Sequence, residues 1–233
     1  MPEQRGQRWH DRRMSIVDTA AKLFAERGYH ATGTADLCQA VGLGKGSLYY
    51  YVESKENLLY LIHERVMNQV LDMATRIAEL DEPAAERLRR LGQEQVSVIA
   101  SYPDHVWVFL HEHKALTGER AAQFTASRRR YERQIERILS DGVASGEFAI
   151  ADVRIAALAW LGMHNYTYLW YEPSKKLTVE RLAAEYYELF INGIRAPGRH
   201  PAATGPRPRH SAYARSRGAG PLEETARHLP PRA

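Results

Sequence analysis

Three consecutive tyrosines, Tyr49, Tyr50 and Tyr51, follow closely behind Lys45, Gly46 and Ser47. On one short helix this set exceeds what a core needs. An exposed tyrosine offers a flat apolar ring for a thymine methyl and a hydroxyl for phosphate, and a lysine neutralises phosphate. A glycine at the helix start allows close approach, and the N–H groups there favour an anion. The implied chemistry is recognition of duplex nucleic acid. No set for bond-making chemistry competes with it, because GxSxG, a P-loop, a dinucleotide fingerprint and a spaced metal set are all absent from the sequence. The expectation is a protein that is not an enzyme and has no cofactor or metal. In His111-Glu112-His113 the histidines stand at i, i+2, about 200° apart on a helix, unlike the one-face spacing of HExxH. Cys38, the one cysteine, is expected to be buried rather than redox-active. His164 reads as a core or interface histidine rather than a ligand.

Such residues need a frame. Ile16, Val17, Ala20, Leu23 and Phe24 recur at helical spacing from Arg13 to Arg27, and Gly28 supplies the stop. A second helix starts near Gly33 or Thr34, with Asp36 in its first turn and Leu37 and Cys38 facing inward. Val41-Gly42-Leu43-Gly44 is a turn, and the spacing predicts a reading helix over 45–52 anchored by Leu48. A long helix opens at Glu53/Ser54 and runs to about Leu80, with Leu58, Leu59, Leu61, Ile62, Val66, Val70 and Ile77 as its apolar face. Further helices are expected at roughly 84–101, 103–115, 119–145, 152–171 and 178–195, punctuated by Pro103, Gly118, Gly146 and Pro173. No strand pattern of useful length appears, so the fold class is all-α with about nine helices. The domains expected are a flexible basic arm at 1–13, a helix-turn-helix at 14–53, an effector-binding and dimerisation domain at 54–196, and a disordered Pro/Gly/Arg-rich tail at 197–233.

The net charge of +4 says less about DNA than it first suggests. From Arg195 to Ala233 eight arginines face Glu223 and Glu224, a net of +6, so the other residues sum to −2. The case for nucleic acid therefore rests on local groups. Without an apolar leader or an apolar run near 18 residues, the expectation is a cytoplasmic protein with no membrane partner.

AAKLFAERGYHAT at 20–32 and DLCQAVGLGKGSLYYYVESKENLL at 36–59, in register over more than forty residues, resemble the N-terminal domain of the TetR (tetracycline repressor-like) family of transcriptional regulators. The resemblance implies a homodimer on a palindromic operator and an all-α C-terminal domain that binds a small hydrophobic effector and releases DNA. It places Lys45, Gly46, Ser47, Tyr49, Tyr50 and Tyr51 on the recognition helix, and Thr34 and Lys55 where phosphate is contacted. Gly33, Gly44 and Val52 depart from the family's usual Ser/Thr, Ser and Phe.

FLHEHKAL (109–116), RRRYERQIERIL (128–139) and LAWLGMHNYTYLWYEP (158–173) are similar to a subgroup controlling lipid catabolism, which implies an acyl-CoA thioester as effector. An acyl chain needs an apolar tunnel and CoA phosphates need arginines. Trp107, Phe109, Phe124, Tyr131, Met163, Tyr166 and Trp170 are candidates for the first, and Arg128, with Arg129 and Arg130, for the second. Aromatics at helical spacing also serve as plain core, and an arginine triplet also serves as an ion-paired face. Ile155, Leu158, Ala159, Gly162, Leu182, Tyr186, Leu189 and Phe190 on the last two helices are the candidate dimer interface, the alternative being an internal core. Alternatives to an acyl-CoA-released repressor are release by another hydrophobic molecule, such as a drug, and a ligand-independent DNA-binding dimer.

Overall fold

The structure, a computed structural model, describes residues 2–172 and 176–194, with side chains described from residue 6 onward. The tail expected over 197–233 lies outside the described residues. The elements are α1 (Pro2–Arg27), α2 (Thr34–Val41), α3 (Lys45–Val52), α4 (Lys55–Ala78), α5 (Ala84–Ser101), α6 (Pro103–His111), a 3₁₀ turn (His113–Ala115), α7 (Gly118–Ala144), α8 (Val153–Asn165), a second 3₁₀ turn (Tyr166–Leu169) and α9 (Val179–Ile194). The fold is all-α.

The boundaries follow from local chemistry. Gly28 at φ 83° ends α1, and Gly42 at φ 66° ends α2, where its N–H reaches the carbonyls of Cys38 and Gln39. Gly33 has no capping side chain, yet its N–H donates to Asp36 Oδ2 at 2.7 Å, so the first turn of α2 remains tied. Ser54 caps α4 by accepting from the Asn57 N–H at 2.9 Å. Between α3 and α4 lies Glu53 at φ 61°, the only non-glycine residue with positive φ among the described residues.

Two expectations are corrected. Residues 1–13 were expected to fray as a flexible basic arm, but α1 already begins at Pro2. Trp9 packs its ring against Tyr51, with centroids 5.9 Å apart, and Arg12 and Arg13 bond to backbone carbonyls beyond α1. The helix expected over 152–171 stops at Asn165 and tightens to 3₁₀ geometry over Tyr166–Leu169, the tighter turn common where an α-helix ends.

Two apolar cores organise the chain. One gathers Ile16, Val17, Ala20, Phe24, Leu37, Leu48 and Val52 with Leu58, Leu59 and Ile62 of α4, and Val108, Leu116 and Phe124 complete it from α6 to α7. The other joins Met67 to Ala78 of α4 with Leu88, Leu91, Ile135, Ile138, Leu139, Trp160 and Ile191. Burying a large aliphatic or aromatic side chain contributes about 1.5–3 kcal/mol, so the short α2 and α3, marginal alone, are held by docking. Since α4 supplies both cores, the N-terminal head and the body share one unbroken helix.

Polar links reinforce that joint. The Tyr29 N–H donates to Glu112 Oε1 at 2.9 Å, tying the end of α1 to the end of α6. Glu56 accepts from the Thr117 hydroxyl at 2.8 Å, and Arg120 donates to Asn57 Oδ1 at 2.9 Å, tying α7 to the first turn of α4. The Thr117 bonds hold the Glu56 carboxyl below the usual carboxylate range. Arg65 of α4 lies 3.3 Å from Asp18 of α1.

Candidate nucleic-acid interface and effector pocket

Helix α3 turns Leu48 and Val52 into the core and leaves Lys45, Gly46, Ser47 and Tyr50 outside. Tyr50 is 70% exposed, far more than packing requires of so large a ring. Thr34, Tyr49, Tyr51 and Lys55 are half-buried and already engaged. The hydroxyls of Thr34 and Tyr49 lie 3.0 Å apart, cross-bracing α2 and α3. Tyr51 lies between Trp9 and Tyr50, its ring centroid 5.2 Å from that of Tyr50. Lys55 Nζ lies 4.3 Å from the Tyr29 ring centroid, a cation–π contact, and burial lowers its pKa. The exposed groups are thus Lys45, Ser47 and Tyr50 at the open start and outer face of α3, and the others hold that face in place.

In the body, a cavity of about 430 Å³ is walled by Val66 and Val70 of α4, Gln95, Val98 and Ile99 of α5, Val106, Phe109 and Leu110 of α6, His113 of the first 3₁₀ turn, Arg128, Tyr131 and Glu132 of α7, and Leu158, Leu161, Gly162 and Asn165 of α8. The wall is mainly aliphatic, and the exposed lining residues Arg128, Leu158 and Gly162 mark where it meets solvent. Its polar groups are few and mostly committed. The Trp160 indole N–H, which can only donate, gives to Gln95 Oε1 at 3.1 Å, and Gln95 Nε2 then donates to Asn165 Oδ1 at 3.4 Å. That relay fixes the amide orientations and leaves the Asn165 N–H₂ able to donate to an occupant. Arg128 pairs with Glu132 at 3.4 Å, and Arg129 is held by Glu132 and Glu136, at 3.1 and 2.8 Å.

Of the expected lining residues, the structure brings Phe109, Arg128 and Tyr131 to this cavity. The other five do not line it. Phe124 lies in the joint behind the wall, its ring 5.0 Å from His63 and 5.2 Å from the lining residue Phe109. Trp107 stacks on His111 at 4.6 Å, and Met163 packs on the body core. Tyr166 and Trp170 follow the break after Asn165 and are 58% and 45% exposed. The lining residues that sequence reasoning missed are chiefly Val66, Val70, Gln95, Ile99, Val106 and Asn165. Short aliphatic residues at helical spacing carry no mark separating a pocket wall from a core.

The expected dimer residues also divide. Ile155, Leu158, Ala159, Gly162 and Leu189 are exposed, with Leu189 70% open. Leu182, Tyr186 and Phe190 turn inward and are corrected: Leu182 is buried beside Val96 and Tyr171, Tyr186 accepts from the Thr167 hydroxyl at 3.2 Å, and Phe190 meets Trp160 edge-on at 5.0 Å. Helix α9 spends this face on α5, which sequence periodicity alone does not distinguish from a partner subunit.

His63, His111 and His164 pack against aromatic rings. His164 is fully buried, with Nδ1 2.9 Å from the Trp160 carbonyl, and burial depresses it to about 4 despite that bond. His63, 1% exposed in the joint, has no hydrogen-bond partner on either ring nitrogen, and burial depresses it to about 3. His111 bonds to the Tyr168 hydroxyl at 2.6 Å, and no metal-ligating cluster occurs among the described residues. Cys38 is half-buried. No helix of the described residues is long and apolar enough to cross a membrane.

A short exposed reading helix after a glycine turn, set on a helical body with a cavity, defines a helix-turn-helix regulator. The sequence model described as bacterial regulatory proteins, tetR family, matches residues 16–60, and that described as tetracyclin repressor-like, C-terminal domain, matches residues 81–194. The crystal structure of the TetR family transcriptional regulator PfmR from Thermus thermophilus is similar at TM-score 0.71 and 33% identity, covering 76% of this chain and 97% of that one. AibR, crystallised in complex with isovaleryl coenzyme A and operator DNA, is similar at TM-score 0.69 and 29% identity, covering 76% and 97%. The HTH-type transcriptional repressor KstR2 of Rhodococcus jostii (strain RHA1) is 28% identical over 193 residues, 80% of this chain and 92% of KstR2. The chain belongs to the TetR family and is a DNA-binding transcriptional regulator, not an enzyme.

Proposed function

We propose that this regulator is a cytoplasmic homodimeric repressor, released from a palindromic operator by an acyl-CoA thioester or a related lipid-derived molecule. The division of labour places the reader in residues 14–53 and effector binding with dimerisation in 54–196. The observation that carries the reading is the make-up of the cavity wall. Val66 and Val70 belong to α4, and the wall's other helices include α6 and α7, whose ends hold the head through Glu112, Thr117 and Arg120. An occupant therefore presses on the elements that orient the reader, and it acts by its differential affinity for two head positions. The cavity volume lies within the range of small-molecule sites. Apolar walls suit an acyl group, the Asn165 amide suits its carbonyl, and Arg128 near the opening suits a phosphate. The named ligand of AibR and the named role of KstR2 support the effector class and the repressor sense.

Two copies would pair through the exposed apolar residues of α8 and α9, Ile155, Leu158, Ala159, Gly162 and Leu189, setting the two readers near the 34 Å spacing of successive major grooves. The test is binding to a duplex enriched from a random-sequence pool, followed by fluorescence anisotropy, with isovaleryl-CoA, octanoyl-CoA, free CoA or the free acids added. Release by a CoA ester but not by free CoA supports the reading. Unchanged affinity with every ester would refute it.

A further inference from the structure

The sequence model of the family's N-terminal domain starts at residue 16, yet the turns of α1 before it make specific contacts with the helix-turn-helix. Arg12 Nη2 donates to the Val41 carbonyl at 2.8 Å, and Arg13 Nε donates to the Tyr51 carbonyl at 3.1 Å. Those carbonyls belong to the last turns of α2 and α3, where backbone acceptors lack an intrahelical partner and a cation is favoured by the helix dipole. Successive residues point about 100° apart on a helix, so Arg12 and Arg13 serve two helix ends at once. Trp9 completes the set. Its ring lies 5.9 Å from Tyr51 and 5.3 Å from the Arg13 guanidinium, and Tyr51 in turn meets Tyr50 edge-on at 5.2 Å.

We infer that the α1 segment carrying Trp9, Arg12 and Arg13 is a clamp on the recognition helix, with Trp9 a positioning residue for Tyr51 and, through it, for the exposed Tyr50. An eight-residue helix keeps no fixed end by itself. The clamp holds the C-terminal half of α3 where its rings meet the duplex, and so governs sequence discrimination more than overall attraction to DNA. The inference rests on α3 being the reader.

The test uses the full-length protein, the duplex enriched on the wild type and a scrambled duplex of equal length. Trp9→Ala is expected to weaken binding to the enriched duplex roughly tenfold per head, the loss of one aromatic pair and one cation–π contact, and to change scrambled-duplex binding less than about twofold. The slope of log affinity against log salt stays unchanged because no phosphate contact is removed. Trp9→Phe restores most of the discrimination, and Arg13→Lys, which keeps the charge but loses the planar fork, reproduces part of the loss. Equal losses on both duplexes with a shallower salt slope would make the segment a phosphate contact and overturn the clamp, as would no loss on either. Lys45→Ala and Tyr50→Ala separate the two levels. If both leave enriched-duplex binding intact, α3 is not the reader and the inference goes with it. If both weaken it while Trp9→Ala does not, only the clamp falls.

Discussion

Lowering the pH from 7 to 5 is expected to remove about 4 kcal/mol of stability, because two histidines are buried without charge. His63 and His164 are 1% and 0% exposed, and burial depresses them to about 3 and about 4 from an unfolded value of 6.5. A histidine with a depressed folded pKa stabilises the fold fully above its unfolded pKa. That contribution is lost as pH falls from 6.5 toward the folded value, since the unfolded chain binds the proton first. At about 1.36 kcal/mol per pH unit, the 1.5 units between 6.5 and 5 amount to about 2 kcal/mol for each ring. His105, also depressed by burial although Asp18 pulls it upward, acts in the same direction. Stability is typically about 5–15 kcal/mol, so this is a large part of the total, and it corresponds to a melting shift of about 8–16 °C for a chain of this size. The assay is urea unfolding at both pH values for the wild type and for His63→Phe. Comparing the change between pH values cancels any constant packing cost of the larger ring. The variant is expected to lose about 2 kcal/mol less than the wild type. A wild-type loss under about 1 kcal/mol, or an identical loss in the variant, would refute the reasoning.

Gly142 sits beneath Phe148, where an added Cβ would approach the ring to 2.2 Å, so Gly142→Ala should cost about 1–3 kcal/mol by overpacking, read as a lower urea midpoint with an unchanged slope. Arg120→Met cuts the bond from α7 to Asn57, and it is expected to shrink the effector's effect on operator affinity by roughly fivefold, within the usual range of coupling, while effector binding measured by calorimetry changes little. Leu189→Asp places a charge on the exposed face of α9 and is expected to raise the dimer dissociation constant at least about tenfold in sedimentation, with the helical circular dichroism retained.

Much of the fold was legible because helix punctuation is local. Gly28, Gly42, Ser54, Pro103 and Gly118 act on their own neighbours, so the ends of most elements fall within a residue or two of expectation. What was not legible depends on partners distant in the chain. Nothing near Trp9 shows that it meets Tyr51, and without that contact residues 2–13 read as a frayed start. Periodicity marks Phe124 and Phe190 as inward-facing, but not whether the space they face is a cavity, a joint or a second subunit. The cavity itself arises where five helices fail to close on one another, and its valines look like any other core residues.

Helix α4 runs without a break from Lys55 to Ala78, and the cavity touches it at Val66 and Val70. At 1.5 Å per residue those contacts lie about 16–22 Å from its first turn. A tilt of about 6° about the contact points would carry the start of α4 and the attached head about 2 Å sideways, and twice that between the two heads of the proposed dimer. An effector acting as proposed therefore need not unfold or reorder anything, because an angle too slight to disturb the core would become a misfit at the groove.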